Sequence, residues 1–269
     1  MNEELRWQDW RRARHAELSG PESWLGLVGL LWLEAGVNRV GSADDCPVRL
    51  PEGPAHLGDL NWQDERLTWL PAGAPPRDLQ TDVDGQPSVV AFDNGSFFVV
   101  DREGRLAVRL RDRAWAGKRQ FSGMRYFDYD PAWRIDAAWL PLSPPVQMDV
   151  PNVSGDLKRV EVSHQAVFEV GGQTVRLLPM SVSDTEVFFV FRDRTSGKES
   201  YGAGRFLKAR LPATDGIADP AVNGKISLNF NFAYNPPCAF TPFATCPLPP
   251  AENWLSFAVP AGEQKWSGQ

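Results

Sequence analysis

Short apolar segments separated by strong turn signals fill most of this 269-residue chain, and this spacing constrains the fold more than any other feature. The clearest turn is Asp93-Asn94-Gly95, because Asn-Gly tolerates the positive φ angles of a type I′ hairpin turn between residues 89–92 and 97–100. Gly171-Gly172 and residues 193–197 mark two further turns. No helical pattern of apolar residues intervenes. The sequence therefore predicts a mainly β protein, built as an antiparallel sandwich or barrel.

A single helix is predicted near the N-terminus, over residues 3–18. Asn2 is a suitable helix cap, Glu3 and Glu4 match the positive end of the helix dipole, and Gly20-Pro21 ends the helix. Several arginines make this helix basic, but the whole chain has a net charge of −6. We therefore favour a packed helix with solvated arginines over an arm that binds nucleic acid.

A proline-rich segment, residues 141–151, is the best candidate for a boundary between two β lobes. The predicted organisation is a helix at 1–20, a first lobe at 21–140, and a second lobe at 152–269 that carries a proline-rich C-terminal loop. The sequence leaves open whether the segment instead crosses the edge of one continuous domain. The last strands are predicted at residues 160–170, 174–178, 187–191, 199–207, 225–232 and 255–259.

The predicted functional site lies in the segment from Asn229 to Pro250, which holds six of the 23 prolines and two of the three cysteines. The prolines exclude a helix or a central strand, and the aromatic and apolar content is too high for a disordered linker. We therefore expect an ordered loop packed onto the domain, with Asn235 and Cys238 at least half buried.

Cys238 and Cys246 are the candidate reactive groups of this loop. A nucleophilic or redox-active cysteine needs a base or a cation nearby to form the thiolate, whereas two buried cysteines can simply pack the loop. Both interpretations stay open. Cys238 is the candidate catalytic nucleophile, and Tyr234 is a candidate acid or hydrogen-bond donor. The few scattered cysteines and histidines offer no set of four zinc ligands, so no metal site is predicted.

Asn229, Asn231 and Asn235 are candidate ligand-binding residues. On a strand, Asn229 and Asn231 point to one face while Phe230 and Phe232 point to the other. Two amides on one face could bind a polar ligand. They could equally satisfy the backbone groups that the prolines leave without partners.

Four arginines, Arg105, Arg109, Arg111 and Arg113, share one face of a predicted strand. Like charges repel unless acids or an anionic ligand lie opposite them. A solvated face with acidic partners, such as Asp112 or Asp128 near Arg109, is one interpretation, and an anion-binding face that includes Arg109 is the other. Arg205 is a separate candidate for binding an anionic group, and Glu263 is expected near the same pocket.

The C-terminal segment also resembles a known family. Residues 235–240 read NPPCAF, residues 245–250 read TCPLPP, and residues 261–263 read AGE. This pattern is similar to the C-terminal signature of domain of unknown function family 1684, found in hypothetical bacterial and archaeal proteins. Similar segments upstream, at 201–207, 109–112 and 24–33, extend the resemblance over most of the chain. The family pattern reads Asp-Phe-Asn where this chain has Asn at position 229. The resemblance implies a grouping and no mechanism.

Several functional classes are disfavoured by the sequence. It contains no phosphate-binding glycine loop, no dinucleotide fingerprint and no His-Glu metal motif, so the cofactor stays unknown. The acidic balance argues against nucleic acid and anionic membranes as partners. The longest apolar run, residues 24–33, is too short to cross a bilayer, and we expect a soluble, cytoplasmic protein.

Two functions are compatible with these features. The first is a small-molecule enzyme or binding protein whose pocket, for a ligand that could be anionic, is built by the C-terminal loop. The second is a non-catalytic β module that binds a ligand or protein, in which the loop is structural. They differ in whether the polar candidates converge on one concave pocket or act as supports for the loop.

Overall fold

The computed structural model describes residues 2–118, 121–211, 213–214, 217–218 and 224–268. The chain forms two compact units, one of residues 17–121 and the other of residues 1–16 with 122–269. The N-terminal helix α1 spans Glu3–Ser19, and Asn2 caps it by accepting a hydrogen bond from the Glu4 amide, 3.0 Å away. No helix among the described residues is long and apolar enough to cross a membrane.

The unit of residues 17–121 contains nine strands and one short helix. The strands are β1 (Leu27–Trp32), β2 (Gly36–Gly41), β3 (Val48–Arg49), β4 (Gly58–Gln63), β5 (Arg66–Pro71), β6 (Arg77–Asp78), β7 (Val90–Phe92), β8 (Gly95–Arg102) and β9 (Arg105–Asp112), and the helix α2 is Trp115–Lys118. They form one sheet in the order β1-β9-β8-β7 and a second in the order β3-β2-β4-β5-β6. All pairings are antiparallel except β2 with β3. Buried residues from both sheets, among them Leu60, Trp69 and Phe97, form one apolar core.

The predicted hairpin at residues 93–95 is present, with one difference in its turn. Phe92 pairs with Gly95, so the two-residue turn is Asp93-Asn94, and the positive φ of 36° falls on Asp93. Gly95 begins β8. A Cβ atom there would approach the Phe92 ring to 2.4 Å, so close contact with the ring explains this glycine.

The unit of residues 1–16 and 122–269 contains the other strands. They are β10 (Arg134–Pro151), β11 (Leu157–Val170), β12 (Gln173–Leu177), β13 (Ser181–Val182), β14 (Glu186–Phe191), β15 (Arg205–Arg210), β16 (Ala213–Thr214), β17 (Ile217–Ala218) and β18 (Lys225–Asn229). The sheets have the orders β12-β11-β10-β18, β13-β14-β15 and β16-β17, and every pairing is antiparallel. One core cluster joins the two larger sheets, with Trp139, Phe189 and Phe230 among its fully buried members. The predicted mainly β, antiparallel fold with an N-terminal helix is confirmed.

The proline-rich segment 141–151 lies inside the longest strand, β10. The register of β10 against β11 shifts between Pro141 and Val146, where five steps along β10 match two along β11. Pro144 and Pro145 fall where the ladder is interrupted, so their missing N–H groups remove few sheet bonds. The units divide at residues 16/17 and 121/122 instead.

Two of the predicted C-terminal strands differ from the structure. The strand predicted at 199–207 begins only at Arg205, because the Thr195 carbonyl accepts from the amides of residues 198–200 and folds this stretch into a turn. Residues 255–259 form no strand. The Val259 backbone is bonded instead to the side chains of Asp193 and Arg205.

Candidate functional site

The C-terminal loop begins where β18 ends, at Asn229. The Asn229 side-chain oxygen accepts hydrogen bonds from the Asn231 amide at 3.2 Å and from Asn231 Nδ2 at 3.0 Å, and residues 230–232 form a 3₁₀ turn. This side-chain cap ends the strand three residues before the predicted end at Phe232. The expectation that Asn229 and Asn231 lie side by side on a strand face is therefore wrong.

Asn231 is 1% exposed and fixes the loop to its surroundings. Its side-chain oxygen accepts from the Asp130 amide at 3.1 Å, and its Nδ2 donates to the Asp130 carbonyl at 2.8 Å. Its own carbonyl accepts from Trp7 Nε1 of α1 at 3.0 Å. The Asn231 side-chain amide thus satisfies backbone groups of Asp130. This matches the alternative in which the asparagine supports the loop and does not bind a ligand.

Asn235 and Glu263 belong to a second buried network. Glu263 has no solvent exposure, and its two carboxylate oxygens accept from Arg14 Nε at 3.0 Å and from the Asn235 amide at 2.7 Å. Arg14 also donates to the Asn235 carbonyl at 3.1 Å, and Asn235 Nδ2 donates to the Gln264 carbonyl at 2.8 Å. The network joins α1 to Asn235 of the loop and to residues 263–264, which follow the loop.

Arg205 is the centre of a third buried group. Its Nη2 lies 2.8 Å from Asp193 Oδ2, and neither side chain has any solvent exposure. The guanidinium also donates to the carbonyls of Val259, Ala261 and Glu263. Burial lowers the pKa of Arg205, and the charge and hydrogen bond of Asp193 oppose that shift. Through these hydrogen bonds the guanidinium holds the segment 259–263 in place. Arg205 is therefore placed for structural support and not for binding an anion in an open site.

Position 262, in the Ala-Gly-Glu sequence, requires a glycine. Its φ is +80°, and a Cβ atom would come within 2.4 Å of the Ala233 carbonyl oxygen. Only glycine lets the two backbone segments approach this closely, and the neighbouring Glu263 amide donates to the same carbonyl at 2.8 Å.

Cys238 and Cys246 lie together in the loop. The Cys238 amide donates to Cys246 Sγ at 3.2 Å, and neither cysteine forms a disulfide. Cys246 is 4% exposed, whereas Cys238 is partly exposed. The Tyr201 hydroxyl donates to the Cys238 carbonyl at 3.0 Å. Asn235 is fully buried and Cys238 is partly buried, as expected for an ordered loop.

The pKa of Cys238 is lowered from its ordinary value. A side-chain hydrogen bond with Cys246 is the largest cause, partial burial opposes it, and a hydrogen bond with the Tyr201 hydroxyl adds to the lowering. Burial together with the charge of Cys238 raises the pKa of Tyr201, so this phenol stays protonated as a donor. These hydrogen bonds favour the Cys238 thiolate over the thiol relative to an ordinary cysteine.

Tyr234 packs beside the cysteines, in the apolar cluster that also contains Phe206 and Cys246. Its ring meets Phe206 edge to face, with centroids 5.7 Å apart, and the Arg14 guanidinium lies 5.2 Å from its centroid. Its backbone pairs with Phe206 in both directions. Tyr234 is therefore an interfacial ring close to the thiols, and Tyr201 is the tyrosine that bonds to Cys238.

Arg109 lies in the other compact unit. It is 3% exposed, and its guanidinium carbon is 5.7 Å from the ring centroids of both Trp24 and Phe98. The first interpretation predicted a solvated arginine face on β9. Aromatic rings cover the centre of this face instead, so it is not solvated throughout. Arg105, at the start of the strand, is exposed and lies 4.0 Å from the Trp32 centroid.

One group of side chains in the described residues has the spacing of metal ligands. One ligand atom each from Asp45, Cys46 and His56 lies within 4.8 Å of the others. His56 Nε2 is already bonded to both Asp45 oxygens, at 2.9 and 3.2 Å, and burial raises the pKa of Cys46. A protonated thiol beside a satisfied His-Asp pair is a poor ligand set. The absence of a metal therefore stays a prediction.

Sequence reasoning missed Arg14, Asp193 and Tyr201. Asp193 was identified only as a turn residue, and it does accept from the Thr195 amide at 2.8 Å. Its second oxygen pairs with Arg205, twelve residues along the chain. Local sequence carries no signal for this pair or for the contact of Arg14 with Glu263, since both depend on the tertiary fold.

Comparisons with known proteins agree with the resemblance seen in the sequence. The model of a family described as protein of unknown function, DUF1684, matches residues 119–264, more than half of the chain. Among solved structures, the solution NMR structure of an uncharacterized protein from Haloarcula marismortui is 32% identical to this chain. The alignment covers 56% of this chain and 86% of that one, with a TM-score of 0.42. The search of curated proteins found no match.

Proposed function

This chain belongs to the DUF1684 family of proteins of unknown function, and we propose that it is a thiol-dependent protein acting on small molecules, with Cys238 as its reactive group. The observation that carries the proposal is the placement of Cys238 and Cys246. The amide of the partly exposed Cys238 donates to Sγ of the buried Cys246, and two buried hydrogen-bonded groups, at Asn231 and at Asn235, fix the loop that carries both cysteines. Rigid support of this kind holds a reactive side chain in one geometry.

Thiol–disulfide exchange is the chemistry that fits two adjacent thiols. The Cys238 thiolate attacks one sulfur of a small organic disulfide, the S–S bond breaks, and the departing sulfur leaves with the electron pair as a thiolate. Cys246 then releases its proton, and its sulfur attacks the Cys238 sulfur. The second small thiol leaves as the Cys238–Cys246 disulfide forms. Two protein thiols are oxidised and one small disulfide is reduced to two thiols.

The two residues have different roles because their exposure differs. Cys238 is accessible to a substrate and has the lowered pKa of an attacking thiol. Cys246 is buried, so it resolves the mixed disulfide rather than meeting the substrate. The Tyr201 hydroxyl donates its single proton to the Cys238 carbonyl in the structure, and turning that proton to the sulfur would favour the thiolate.

The proposed partners follow from this chemistry. The substrate is a small disulfide, and no nucleic acid, membrane or metal takes part. A cytoplasmic location suits the proposal, because cytosolic reductants return such a pair to the dithiol form.

A second candidate function is the non-catalytic β module, and one observation favours it. Arg205, Asn231, Asn235 and Glu263 are all buried and bonded to groups of the protein itself. These residues support the loop, and each of them is at most 1% exposed. In that case the two cysteines pack the loop and take no part in chemistry.

Alkylation of the native protein by iodoacetamide, followed by peptide mass spectrometry from pH 5 to 10, separates the two functions. We expect Cys238 to react first, with a midpoint below the ordinary value of about 8.5. Cys46, which is buried and has a raised pKa, is the internal control and should react slowly. Cys246→Ala should shift the Cys238 midpoint upward, because it removes the side-chain hydrogen bond that contributes most to the lowered pKa.

Oxidised glutathione is the matching redox probe. The native protein should form the internal disulfide, while Cys246→Ser should accumulate a mixed disulfide at Cys238. Circular dichroism should show that the variant stays folded. A Cys238 that titrates like a free thiol and forms no mixed disulfide would leave the structural module as the better assignment.

A further inference from the structure

A cavity of about 350 Å³ lies within the unit of residues 17–121, which does not contain Cys238 or Cys246. Three segments surround it: the loop 51–53 after β3, the hairpin tip 93–95 between β7 and β8, and residues 110–118 from the end of β9 into α2. Its size is at the lower end of the range for small-molecule sites, which is about 300–1,000 Å³.

One part of the cavity wall is apolar. Val28, Pro51, Phe92 and Leu110 line it. Gly53 lies against this wall, since a Cβ atom there would be 3.3 Å from the Phe92 ring. The cavity can therefore hold a compact aliphatic or aromatic group.

The polar part of the wall contains one buried donor that lacks a partner. The Arg111 side chain is 11% exposed, and its Nη1 makes an ion pair with Glu22. Its Nε is buried and has no hydrogen-bond acceptor among the described residues. Burial lowers the pKa of Arg111, as expected for a guanidinium with too few acceptors. Arg111 lines the cavity, and Glu22 is bonded to its Nη1 alone, so the guanidinium keeps donor capacity for a ligand acceptor.

The acids of the cavity outnumber its bases. Lys118 lies 2.8 Å from Asp112 and neutralises it, while Glu52 interacts with Lys118 only at longer range. Asp93, at the hairpin tip, has no ion pair or side-chain hydrogen bond among the described residues. A purely anionic ligand would meet this surplus of negative charge, so the acids favour a ligand that also carries a cation.

We propose that this cavity binds a small zwitterion of the amino-acid type, with its carboxylate at Arg111, its ammonium at Asp93 and Glu52, and its apolar body against Phe92 and Leu110. The planar guanidinium suits a carboxylate acceptor, and the two acids supply acceptors for an ammonium group. The site is independent of the thiol chemistry, because all its residues belong to the unit of residues 17–121.

Isothermal titration of the full-length protein with each of the twenty standard amino acids tests this directly. We expect at least one with an apolar side chain to bind, and to raise Tm through linkage. The amide of that amino acid, which lacks the carboxylate, and its N-acetyl derivative, which lacks the ammonium, should each bind at least about tenfold more weakly, because each leaves charged partners unpaired.

Two variants locate the site, and each has a matched control. Asp93→Asn and Arg111→Gln should each weaken binding of the same amino acid at least about tenfold. Asp84→Asn and Arg113→Gln change exposed residues outside the cavity and should leave affinity within about twofold. Because Arg111→Gln also removes the ion pair with Glu22, Asp93→Asn keeps the test valid if the arginine variant fails to fold.

Three results would overturn the assignment. One is that no amino acid binds at concentrations up to about 10 mM, a limit chosen because about 10 mM is the largest Kd expected for such a site. Another is equal binding of the N-acetyl derivative or the amide, which would mean that one charged end is not recognised. The third is binding that neither Asp93→Asn nor Arg111→Gln weakens, which would place the ligand elsewhere. Cys238 alkylation should stay at its native rate in Asp93→Asn and Arg111→Gln. A failure of the amino-acid site can therefore be told apart from a failure of the proposed thiol function.

Discussion

Arg205 and Asp193 form an ion pair with no solvent exposure, surrounded by backbone carbonyls of the segment 259–263. We expect Arg205→Met to lower the free energy of unfolding by about 3–5 kcal/mol, since it leaves the Asp193 carboxylate buried and unpaired. Urea denaturation measures the change.

The double variant Arg205→Met with Asp193→Asn should recover part of that loss, because the uncompensated charge is gone. Arg210→Met is the matched control, as Arg210 is exposed on the same strand, and it should change stability by less than about 0.5 kcal/mol. A loss no larger than that of the control would contradict the structural role of Arg205.

At the residue scale, the sequence indicated which residues lie around the loop. It did not show whether they bind a ligand or support the loop. Asn231, Asn235 and Glu263 were all singled out, and all lie in the hydrogen-bonded networks around the loop. Their burial depends on partners far along the chain, such as Arg14, 249 residues from Glu263. An open polar site and a buried polar network use the same residue types, so the pattern alone does not separate them.

The 3₁₀ turn after β18 depends on the Asn229 cap. Asn229→Ala should cost about 1 kcal/mol, because the Asn231 amide loses its acceptor. Asn229→Asp keeps an acceptor but loses the bond from Asn229 Nδ2 to Glu3, 3.4 Å away, and sets two carboxylates against each other.

Thermal denaturation at pH 7 should therefore rank the native protein above Asn229→Asp. Adding Glu3→Gln to that variant should restore most of the lost stability, since the amide removes the repulsion. The same Glu3→Gln change in the native background is the control, and it should shift Tm by less than the rescue does. Equal shifts in the two backgrounds would show that the two positions do not interact.

Element by element, the sequence predicted the short strands well where a turn signal flanked an apolar run. The N-terminal helix and the strands at 95–102, 157–170, 173–177 and 186–191 lie within a few residues of their predicted positions. The 18-residue strand β10 was missed because its prolines indicate a break, and a register shift accommodates them within the sheet. That compensation requires β11 as a partner, which local sequence does not reveal.

At the scale of the whole molecule, residues 17–121 form a compact unit. Along the sequence, this unit lies between the two segments, 1–16 and 122–269, that make up the other unit. The unit has its own two-sheet core and continuous sequence. We expect a fragment of residues 17–121 to fold alone, since its length lies within the normal range for domains. Circular dichroism and a cooperative urea transition would show this, whereas a non-cooperative transition would count against an independent unit.

The other unit consists of residues 1–16 and 122–269, and the short N-terminal part supplies two of its buried contacts. Trp7 donates to the Asn231 carbonyl, and Arg14 pairs with Glu263, which has no solvent exposure. A fragment of residues 122–269 should therefore be strongly destabilised, because Glu263 loses its cation while still buried. Adding a peptide of residues 1–16 in trans should raise the Tm of the fragment as its concentration increases, by linkage.

A peptide with Arg14→Gln should stabilise the fragment at least about tenfold less effectively, measured as the concentration needed for half the effect. A peptide with Arg12→Gln is the control, since Arg12 is exposed and pairs only with Asp9 of the same helix among the described residues. If the two peptides act equally, the Arg14–Glu263 pair does not hold the helix. If residues 122–269 are fully stable without any peptide, α1 is dispensable for this unit.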